Sequence, residues 1–248
     1  INIMFKSSAI IVTGVGKGIG TDIVKKITEN GNFVYGITRS ETDKKKFKKF
    51  NNYKIIIGNI NNQSTLKKVI KISDKQKRII SGLVNNAGER QRIDFNKITK
   101  KDLKQIFEVN FFSNFYNMQI FSKYLIKKKI KGSIVNIGSI VGQRGFAQLS
   151  GYASTKSALD GLTKSFATEM ARYNIRANIV HPGFIKTSYY EKFRKNRKKL
   201  YNWTLGRIPQ KKWGEPRDIS NLVCFLLSDK SSYITGSSFN VDGGWLNS

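Results

Sequence analysis

Short apolar runs alternate with longer amphipathic segments along the whole chain. The short runs are rich in β-branched residues, which predicts strands at Ala9–Thr13, Phe33–Thr38, Tyr53–Ile57, Ile80–Val84, Ser133–Ile137, Arg176–Val180 and Ser238–Val241. Helical periodicity fills most of the intervals, in segments that end near Glu29, at Ser64–Ile72, from about Lys100 to Lys128, from Tyr152 to about Tyr173, and at Pro216–Leu227. Strands that alternate with helices predict a doubly wound parallel α/β sheet with helices on both faces. No linker or repeat divides residues 1–248, so we expect a single domain.

A glycine-rich turn joins the first predicted strand to the first predicted helix. Gly14, Gly18 and Gly20 stand in this turn, with Lys17 and Ile19 between them. Glycines allow the backbone to approach a pyrophosphate, and the start of the helix supplies N–H groups and the positive end of its dipole. The spacing differs from the Gly-x-Gly-x-x-Gly fingerprint, and taken alone it also fits a flexible turn.

The end of the second predicted strand bears on the choice of cofactor. In dinucleotide-binding folds an acid at this point accepts a hydrogen bond from the free ribose 2′-OH, whereas a base suits a 2′-phosphate. Thr38 and Arg39, together with Lys17 in the glycine turn, offer two cations and no carboxylate. We therefore expect NADP(H) in preference to NAD(H).

Tyr152 and Lys156 are four residues apart at the start of a predicted helix, so they share one face of it. A phenol is a poor acid or base at neutral pH, and a nearby ammonium is expected to lower its pKa toward the useful range. Ser139, just after the fifth predicted strand, adds a hydroxyl that can hold a carbonyl oxygen. In isolation, the Tyr-x-x-x-Lys spacing is also typical of an ordinary surface pair.

Composition narrows the range of functions. Lys and Arg number 45 against 16 acidic residues, a net charge of +29. Such a surface attracts polyanions, but the lysines are spread along the helices, which favours compositional drift, and we do not expect nucleic acid as a partner. The single cysteine, Cys224, excludes an internal disulfide and indicates a reducing, cytoplasmic compartment. The single histidine, His181, argues against His-based metal sites, and we expect neither a metal nor a membrane span.

Taken in order, the motifs resemble those of the short-chain dehydrogenase/reductase family across essentially the whole chain. They are Thr13-Gly14-x3-Gly18-Ile19-Gly20, Asn85-Asn86-Ala87-Gly88, Asn110, Ser139, Tyr152-x3-Lys156, Pro182-Gly183 and Val241-Asp242-Gly243-Gly244. The resemblance implies a single-domain Rossmann-type sheet of about seven strands and hydride transfer with NAD(P) between a ketone and a secondary alcohol. Two positions depart from the family pattern: Asn59 stands where an Asp is usual, and Gly16 replaces a common Ser.

The resemblance also implies a role for each matching residue. Tyr152 would be the general acid or base, Lys156 would hold the nicotinamide ribose and lower the pKa of Tyr152, Ser139 would bind the substrate oxygen, and Asn110 would anchor a water relay behind Lys156. The cofactor would contact Gly14, Lys17, Gly18, Ile19, Gly20, Arg39, Asn59, Ile60, Asn86, Ala87, Gly88, Tyr152, Lys156, Pro182, Gly183, Ile185 and Thr187. His181 is interpreted as a strand-end residue without a role.

The substrate is the least determined feature. The chain length and the C-terminal motifs are similar to those of reductases that act on 3-oxoacyl groups bound to acyl carrier protein, but sugar, polyol and other small secondary-alcohol dehydrogenases share them. A non-catalytic dinucleotide-binding regulator is the remote alternative. Residues of about 187–212 are expected to form a substrate lid, in which Tyr189, Tyr190, Phe193 and Trp203 serve either packing or substrate contact. A docking surface for the acidic carrier is expected at the active-site mouth from Lys127, Lys128, Lys129, Lys131, Arg172, Arg194, Lys195 and Arg197. The resemblance also implies a homotetramer.

Overall fold

One parallel sheet organises the chain. The computed structural model describes residues 8–48, 51–188 and 190–248, so Tyr189 of the predicted lid lies outside it. Within these residues seven strands pair in the order β3-β2-β1-β4-β5-β6-β7. They are β1 (Ala9–Thr13), β2 (Phe33–Thr38), β3 (Tyr53–Ile57), β4 (Ile80–Asn85), β5 (Gly132–Ile137), β6 (Ile175–Pro182) and β7 (Ser238–Val241). The predicted strands and the doubly wound fold are confirmed, with strand ends that differ by at most two residues.

The helices between the strands cover both faces of the sheet. They are α1 (Gly18–Glu29), α2 (Gln63–Lys75), α3 (Lys100–Phe107), α4 (Ser113–Lys128), α5 (Ser150–Met170), α6 (Tyr190–Asn196), α7 (Lys198–Arg207) and α8 (Pro216–Leu227). Several of them begin at recognisable caps: Thr99 and Asp102 form a capping box on α3, and Pro216 occupies the first turn of α8.

Alternate residues of each buried strand enter different helix layers. In β1, Ile10 and Val12 pack with α1 and α8, whereas Ala9 and Ile11 pack with α2, α4 and α5. This arrangement follows from the two-residue side-chain period of a strand, and it explains why the strands read as continuous apolar runs. The chain winds outward from β1 to β3 and then returns to β4 beside β1, so the loops after β1 and β4 diverge and leave a crevice.

The long helix predicted from Lys100 to Lys128 is interrupted in the structure. Residues Glu108–Phe112 form a π-helical turn between α3 and α4, with Asn110 fully buried in it. Such turns insert one extra residue and are frequent at functional sites. The amphipathic period alone does not reveal the insertion, because both flanking helices keep their apolar faces toward the core.

Two further segments form short helices that the sequence analysis does not predict. Glu41–Phe47 is a short 3₁₀ helix with Phe47 buried. The predicted lid contains α6 and α7. Its side chains pack in a separate aromatic cluster around Trp213 and Trp245, so no single apolar stripe develops.

No helix in the described part of the chain combines the length and apolarity that a membrane crossing needs.

Candidate active site

Two adjoining cavities lie along the edge where the strands end. The first lies beyond β1, β2 and β3, and the second, of about 320 Å³, lies beyond β5 and β6 under the lid. Both are lined by Ile19, Asn86, Gly88, Glu89 and Thr187, so they form one continuous cleft. This is the crevice where open parallel sheets bind ligands.

The glycine turn forms the floor of the first cavity. Gly14 has a φ of +69°, and a Cβ there would lie 2.7 Å from the Cα of Ala87, so only glycine fits. The amide of Asn86 fixes the turn by donating to the carbonyls of Thr13 (3.1 Å) and Gly14 (2.9 Å). No side chain caps the start of α1, which leaves N–H groups of its first turn available to an anion. These features fit the pyrophosphate of a dinucleotide.

Most of the predicted cofactor residues line this first cavity. They are Gly14, Lys17, Gly18, Ile19, Arg39, Asn59, Ile60, Asn86, Ala87, Gly88 and Thr187. Gly20 lies behind the loop, packed against the Gly14 carbonyl and the Asn86 amide. The substitute Asn59 accepts a hydrogen bond from the Asn61 N–H (3.1 Å) and so shapes the turn after β3.

The first cavity also contains a carboxylate that the sequence pattern did not single out. Asp43 lines the first cavity, where it accepts hydrogen bonds from Thr38 (2.5 Å) and Lys46 (2.6 Å). Burial opposes ionisation of Asp43, but the bonds from Lys46 and Thr38 outweigh it and lower the pKa of Asp43. The spacing of residues along the chain does not reveal this contact, because the 3₁₀ turn folds Asp43 back over the glycine loop.

Asp43 also accounts for the departure at Gly16. A Cβ at this position would lie 2.8 Å from the Asp43 carboxyl carbon. The Lys46 ammonium, which binds Asp43, also donates to the Gly16 carbonyl at 2.5 Å. The carboxylate therefore fills the space in which a serine side chain would stand.

Ser139, Tyr152 and Lys156 line the second cavity together, as predicted from their spacing. The Ser139 oxygen accepts from the Val141 N–H (3.2 Å). The buried Lys156 ammonium donates to the Ile137 carbonyl (2.7 Å) and lies 5.8 Å from the centre of the Tyr152 ring.

The predicted lowering of the Tyr152 pKa by Lys156 is not found. Burial raises the pKa of Tyr152 above its ordinary value, and the opposing effects come from the Ser139 hydrogen bond and the Arg90 charge. Burial also lowers the pKa of Lys156 to about 8. The phenol is therefore protonated at neutral pH, which is the state that a proton donor requires.

Asn110 does not line either cavity. Its amide donates to the Glu89 carbonyl (2.9 Å) and the Thr155 hydroxyl (3.2 Å), and its side-chain oxygen accepts from the Glu89 N–H (2.8 Å). Its carbonyl accepts from the Asn114 amide (2.7 Å). The structure therefore shows Asn110 holding the loop after β4; a water relay stays a prediction.

Pro182 at the end of β6, and Gly183, Ile185 and Thr187 after it, also line the second cavity. An aromatic wall of the cavity is formed by Phe146, Phe184, Tyr190, Phe193, Trp203 and Trp213, of which Tyr190, Phe193 and Trp203 belong to the predicted lid. Arg90 and Arg92 lie at the mouth of the cavity. Together with Phe146 and Phe184, these two arginines belong to none of the sequence motifs and were not singled out.

The predicted carrier-docking surface is only partly at the mouth. Lys127, Lys128, Lys129 and Lys131 precede β5, and Arg172 precedes β6, so they lie where the strands begin, at the edge opposite Ser139. Lys128 pairs there with Asp74 (2.9 Å) and Lys131 with Asp229 (2.7 Å). Of the predicted set, Arg194, Lys195 and Arg197 belong to the lid side.

Comparison with known proteins agrees with this architecture. Residues 14–246 match the family described as Enoyl-(Acyl carrier protein) reductase. The 3-oxoacyl-[acyl-carrier-protein] reductase FabG of Buchnera aphidicola subsp. Schizaphis graminum is 35% identical over 94% of this chain and 95% of its own. The 2-dehydro-3-deoxy-D-gluconate 5-dehydrogenase of Escherichia coli is 35% identical over 66% of this chain and 64% of its own.

Solved structures are similar over almost the whole length. The structure of ElxO with NADP bound has a TM-score of 0.90 at 29% identity and covers 98% of this chain and 100% of its own. The 4-hydroxyisoleucine dehydrogenase complexed with NADH has a TM-score of 0.90 at 30% identity, with 97% and 99% covered. Fold and site together define an oxidoreductase that interconverts CH–OH and C=O groups. The chain belongs to the short-chain dehydrogenase/reductase family.

The buried ammonium of Lys156 makes stability depend on pH. Its pKa is about 8 in the folded chain against 10.5 in the unfolded chain, so the cost of burying the charge is fully present below pH 8 and falls as pH rises toward 10.5. Lys156→Met removes this cost. We expect its free energy of unfolding, relative to the wild type, to decline by roughly 3 kcal/mol between pH 7 and 10.5.

Denaturant unfolding at several pH values measures this difference, and Lys127→Met, at an exposed position of α4, is the control. A gap between Lys156→Met and the wild type that stays constant over this pH range would contradict the prediction.

Proposed function

We propose that the protein is an NADP(H)-dependent reductase of 3-oxoacyl thioesters carried on acyl carrier protein. The observation that carries the proposal is the meeting of Ser139, Tyr152 and Lys156 in one cavity. That cavity is continuous with the first cavity, whose glycine turn fits a dinucleotide, and it is bounded by the aromatic wall.

In this proposal the chain's own residues bind the carbonyl and supply the proton. NADP(H), when bound, supplies the hydride that the carbonyl carbon accepts. Ser139 donates to the carbonyl oxygen, and Tyr152 transfers its phenolic proton to that oxygen, so that C=O becomes CH–OH. Lys156 holds the ribose hydroxyls of the cofactor. The raised pKa of Tyr152 keeps the phenol protonated and suits the reducing direction.

Charge in the first cavity favours the 2′-phosphate of NADP(H). Lys17, Arg39 and Lys46 line it, while the carboxylate of Asp43 is already engaged by Thr38 and Lys46. Arg39 pairs with Glu89 at 3.2 Å but is largely exposed, so its guanidinium is free to turn toward a phosphate. A bound NADP in ElxO, a close structural relative, supports the same choice.

The aromatic wall favours an acyl chain over a polyhydroxylated substrate. Phe184, Tyr190, Phe193 and Trp213 pack at ring-centre distances of about 5.2 Å on the lid side of the cavity. These faces offer apolar contact, and a sugar would leave most of its hydroxyls unpaired there. We propose that residues 187–212 act as the substrate lid.

A carrier-bound substrate brings a phosphate-containing arm and an acidic protein. Arg90 and Arg92 at the mouth, with Lys195 and Arg197 on the lid, are cations on the side from which such a substrate would enter. The relatedness to FabG, a reductase of acyl-carrier-protein-bound substrate, supports this assignment.

The second candidate is a dehydrogenase of a small sugar acid. Arg90 favours it, because its charge acts on Tyr152 and would pair with a substrate carboxylate near the reacting carbon. The similarity to the Escherichia coli gluconate-type dehydrogenase points the same way over two thirds of the chain.

We further propose a homo-oligomer, with a tetramer as the expected form, in the cytoplasm. Phe112, Phe115 and Tyr116 expose more than a third of their surface on α4 and the preceding turn, as a subunit interface would require. Cys224 is buried as a free thiol, consistent with a reducing compartment. Sedimentation analysis at micromolar concentration tests the assembly.

Tyr152→Phe should reduce kcat by about 10²-fold or more, because general acid catalysis typically contributes ~10²–10⁴-fold. NADPH affinity, followed by fluorescence titration, should change little. Steady-state NADPH oxidation measures the effect, and Tyr173→Phe, an exposed tyrosine beyond α5, is the matched control. A variant that keeps more than a tenth of the wild-type kcat would refute the assignment of Tyr152 as the general acid. Such a result would favour a non-catalytic dinucleotide-binding role.

The wild type should bind NADPH more tightly than NADH, and Arg39→Asp should reverse or erase the preference. A charge-assisted hydrogen bond contributes roughly 1.5–3 kcal/mol, which corresponds to about ten- to a hundredfold in Kd. Lys45→Asp changes an exposed cation on the same turn outside the cavity and should have little effect. Equal or tighter NADH binding to the wild type would overturn the choice of cofactor.

A carrier-bound 3-oxoacyl substrate should show a kcat/KM that falls steeply with ionic strength, because exposed charges are screened beyond ~8 Å at physiological salt. Lys195→Glu in the lid should weaken this rate, whereas Lys127→Glu at the opposite edge should not. The same acyl group on a small neutral thiol should respond little to salt or to either change.

A keto sugar acid tested in the same assay separates the two candidates. Faster turnover of the sugar acid, selectively lost in Arg90→Ala, together with a carrier-bound rate that ignores salt, would reject the acyl reductase in favour of the sugar acid dehydrogenase.

A further inference from the structure

Polar contacts link the backbone of Ser139 to His181 and, through the His181 ring, to Asp160. Asp160 stands one turn beyond Lys156 on α5, so that Tyr152, Lys156 and Asp160 follow each other at four-residue spacing. The carboxylate of Asp160 lies 3.1 Å from Nε2 of His181, which is fully buried in β6. On its other side, Nδ1 of His181 lies 3.2 Å from the backbone nitrogen of Ser139.

These contacts fix the position of the imidazole proton. Burial opposes ionisation of Asp160, but hydrogen bonds from Lys164, Ser238 and His181 lower the pKa of Asp160, so its oxygens only accept. Burial lowers the pKa of His181, which keeps the ring neutral with a single N–H. Nδ1 lies 3.2 Å from the Ser139 backbone nitrogen and 3.1 Å from the Ser139 carbonyl oxygen, so it can accept from the first or, when protonated, donate to the second. A hydrogen on Nδ1 would leave the bare Nε2 facing the ionised Asp160 carboxylate at 3.1 Å, whereas a hydrogen on Nε2 meets that carboxylate and leaves Nδ1 as an acceptor for the Ser139 N–H.

The His181 imidazole binds a backbone N–H just beyond the last paired residues of β5 and β6. The β5–β6 ladder ends with Ile137 beside Val180 and a last bond from the Gly138 N–H to the Val180 carbonyl (2.7 Å). The next N–H after Gly138, beyond the end of β5, belongs to Ser139, and Nδ1 of His181 accepts it. The His181 ring also requires glycine at position 138, because a Cβ there would lie 2.7 Å from Cε1 of the ring.

We propose that His181, held in the Nε2–H tautomer by Asp160, is a positioning residue that fixes Ser139 for carbonyl recognition. The catalytic part of this inference rests on the proposed function, in which Ser139 binds the substrate oxygen; the tautomer does not. The proton needs no transfer during the reaction: the ring acts by holding the Ser139 backbone.

The tautomer is tested directly in the wild-type protein. Because His181 is the single histidine, ¹⁵N NMR of histidine-labelled protein gives one pair of ring signals. We expect a protonated Nε2 and an unprotonated Nδ1 at neutral pH. Asp160→Ala removes the acceptor and should shift the signals toward the Nδ1–H form. A proton on Nδ1 in the wild type would overturn the proposal.

Two substitutions of His181 separate positioning from packing. His181→Asn places an amide oxygen near the site of Nδ1 and keeps an acceptor for the Ser139 N–H, whereas His181→Leu fills the space without one. We expect His181→Leu to lower kcat by roughly ten- to a hundredfold, the scale of a misplaced contact, with NADPH affinity unchanged, and His181→Asn to retain most of the activity. Equal activity in both variants would overturn the positioning role.

The Ser139→Ala background removes the remaining ambiguity. If His181 acts through Ser139, His181→Leu should cost at most about twofold more once the hydroxyl is gone, because coupled sites are non-additive. An undiminished cost in that background would show a general structural role and refute the inference. Absence of turnover with every carbonyl substrate would contradict the proposed function instead, and the NMR result would still decide the tautomer.

Discussion

The burial of the Lys156 ammonium is the constraint on which the site depends. Burial alone accounts for its lowered pKa, and its hydrogen-bond partner in the described structure is a neutral carbonyl, that of Ile137. A buried charge without a carboxylate partner is costly to the fold. We expect a buried lysine to be retained where its ammonium binds a ligand rich in hydroxyl groups, such as a ribose. In the proposed function, stability is therefore lower at the position where the cofactor and the substrate would meet.

The surrounding architecture is arranged to keep that ammonium and its neighbours in place. The two helix layers bury both faces of the sheet and leave the strand ends at one edge. Helix α5 then presents Tyr152, Lys156 and Asp160 to that edge from a single rigid face, and the π-helical turn directs Asn110 toward the Glu89 backbone beside them. The lid, in contrast, is held by its own aromatic cluster. In the proposed function, a rigid proton-transfer site would therefore be combined with a separately packed substrate wall.

The parts that sequence reasoning predicted are those in which local pattern carries the information. The strands follow from apolar runs, and the meeting of Ser139, Tyr152 and Lys156 follows from a helical spacing next to a strand end. Asp43 was missed, because its position depends on how a short turn folds back onto the glycine loop. The direction of the Tyr152 pKa was wrong for a related reason: the sequence shows the ammonium four residues away but not the burial that outweighs it.

The predicted carrier-docking surface shows that position along the chain does not determine where a charge lies in the fold. Counting lysines by their distance along the chain from the active-site helices placed Lys127 to Lys131 near the mouth, but α4 runs back along the sheet and delivers them to the far edge. There they meet Asp74 and Asp229, as expected of cations that solubilise a surface. Arg90 instead acts on Tyr152 across the cavity. A net charge of +29 therefore does not by itself indicate a partner. The topology of the fold determines which cations face an incoming substrate, and only those cations can act on it.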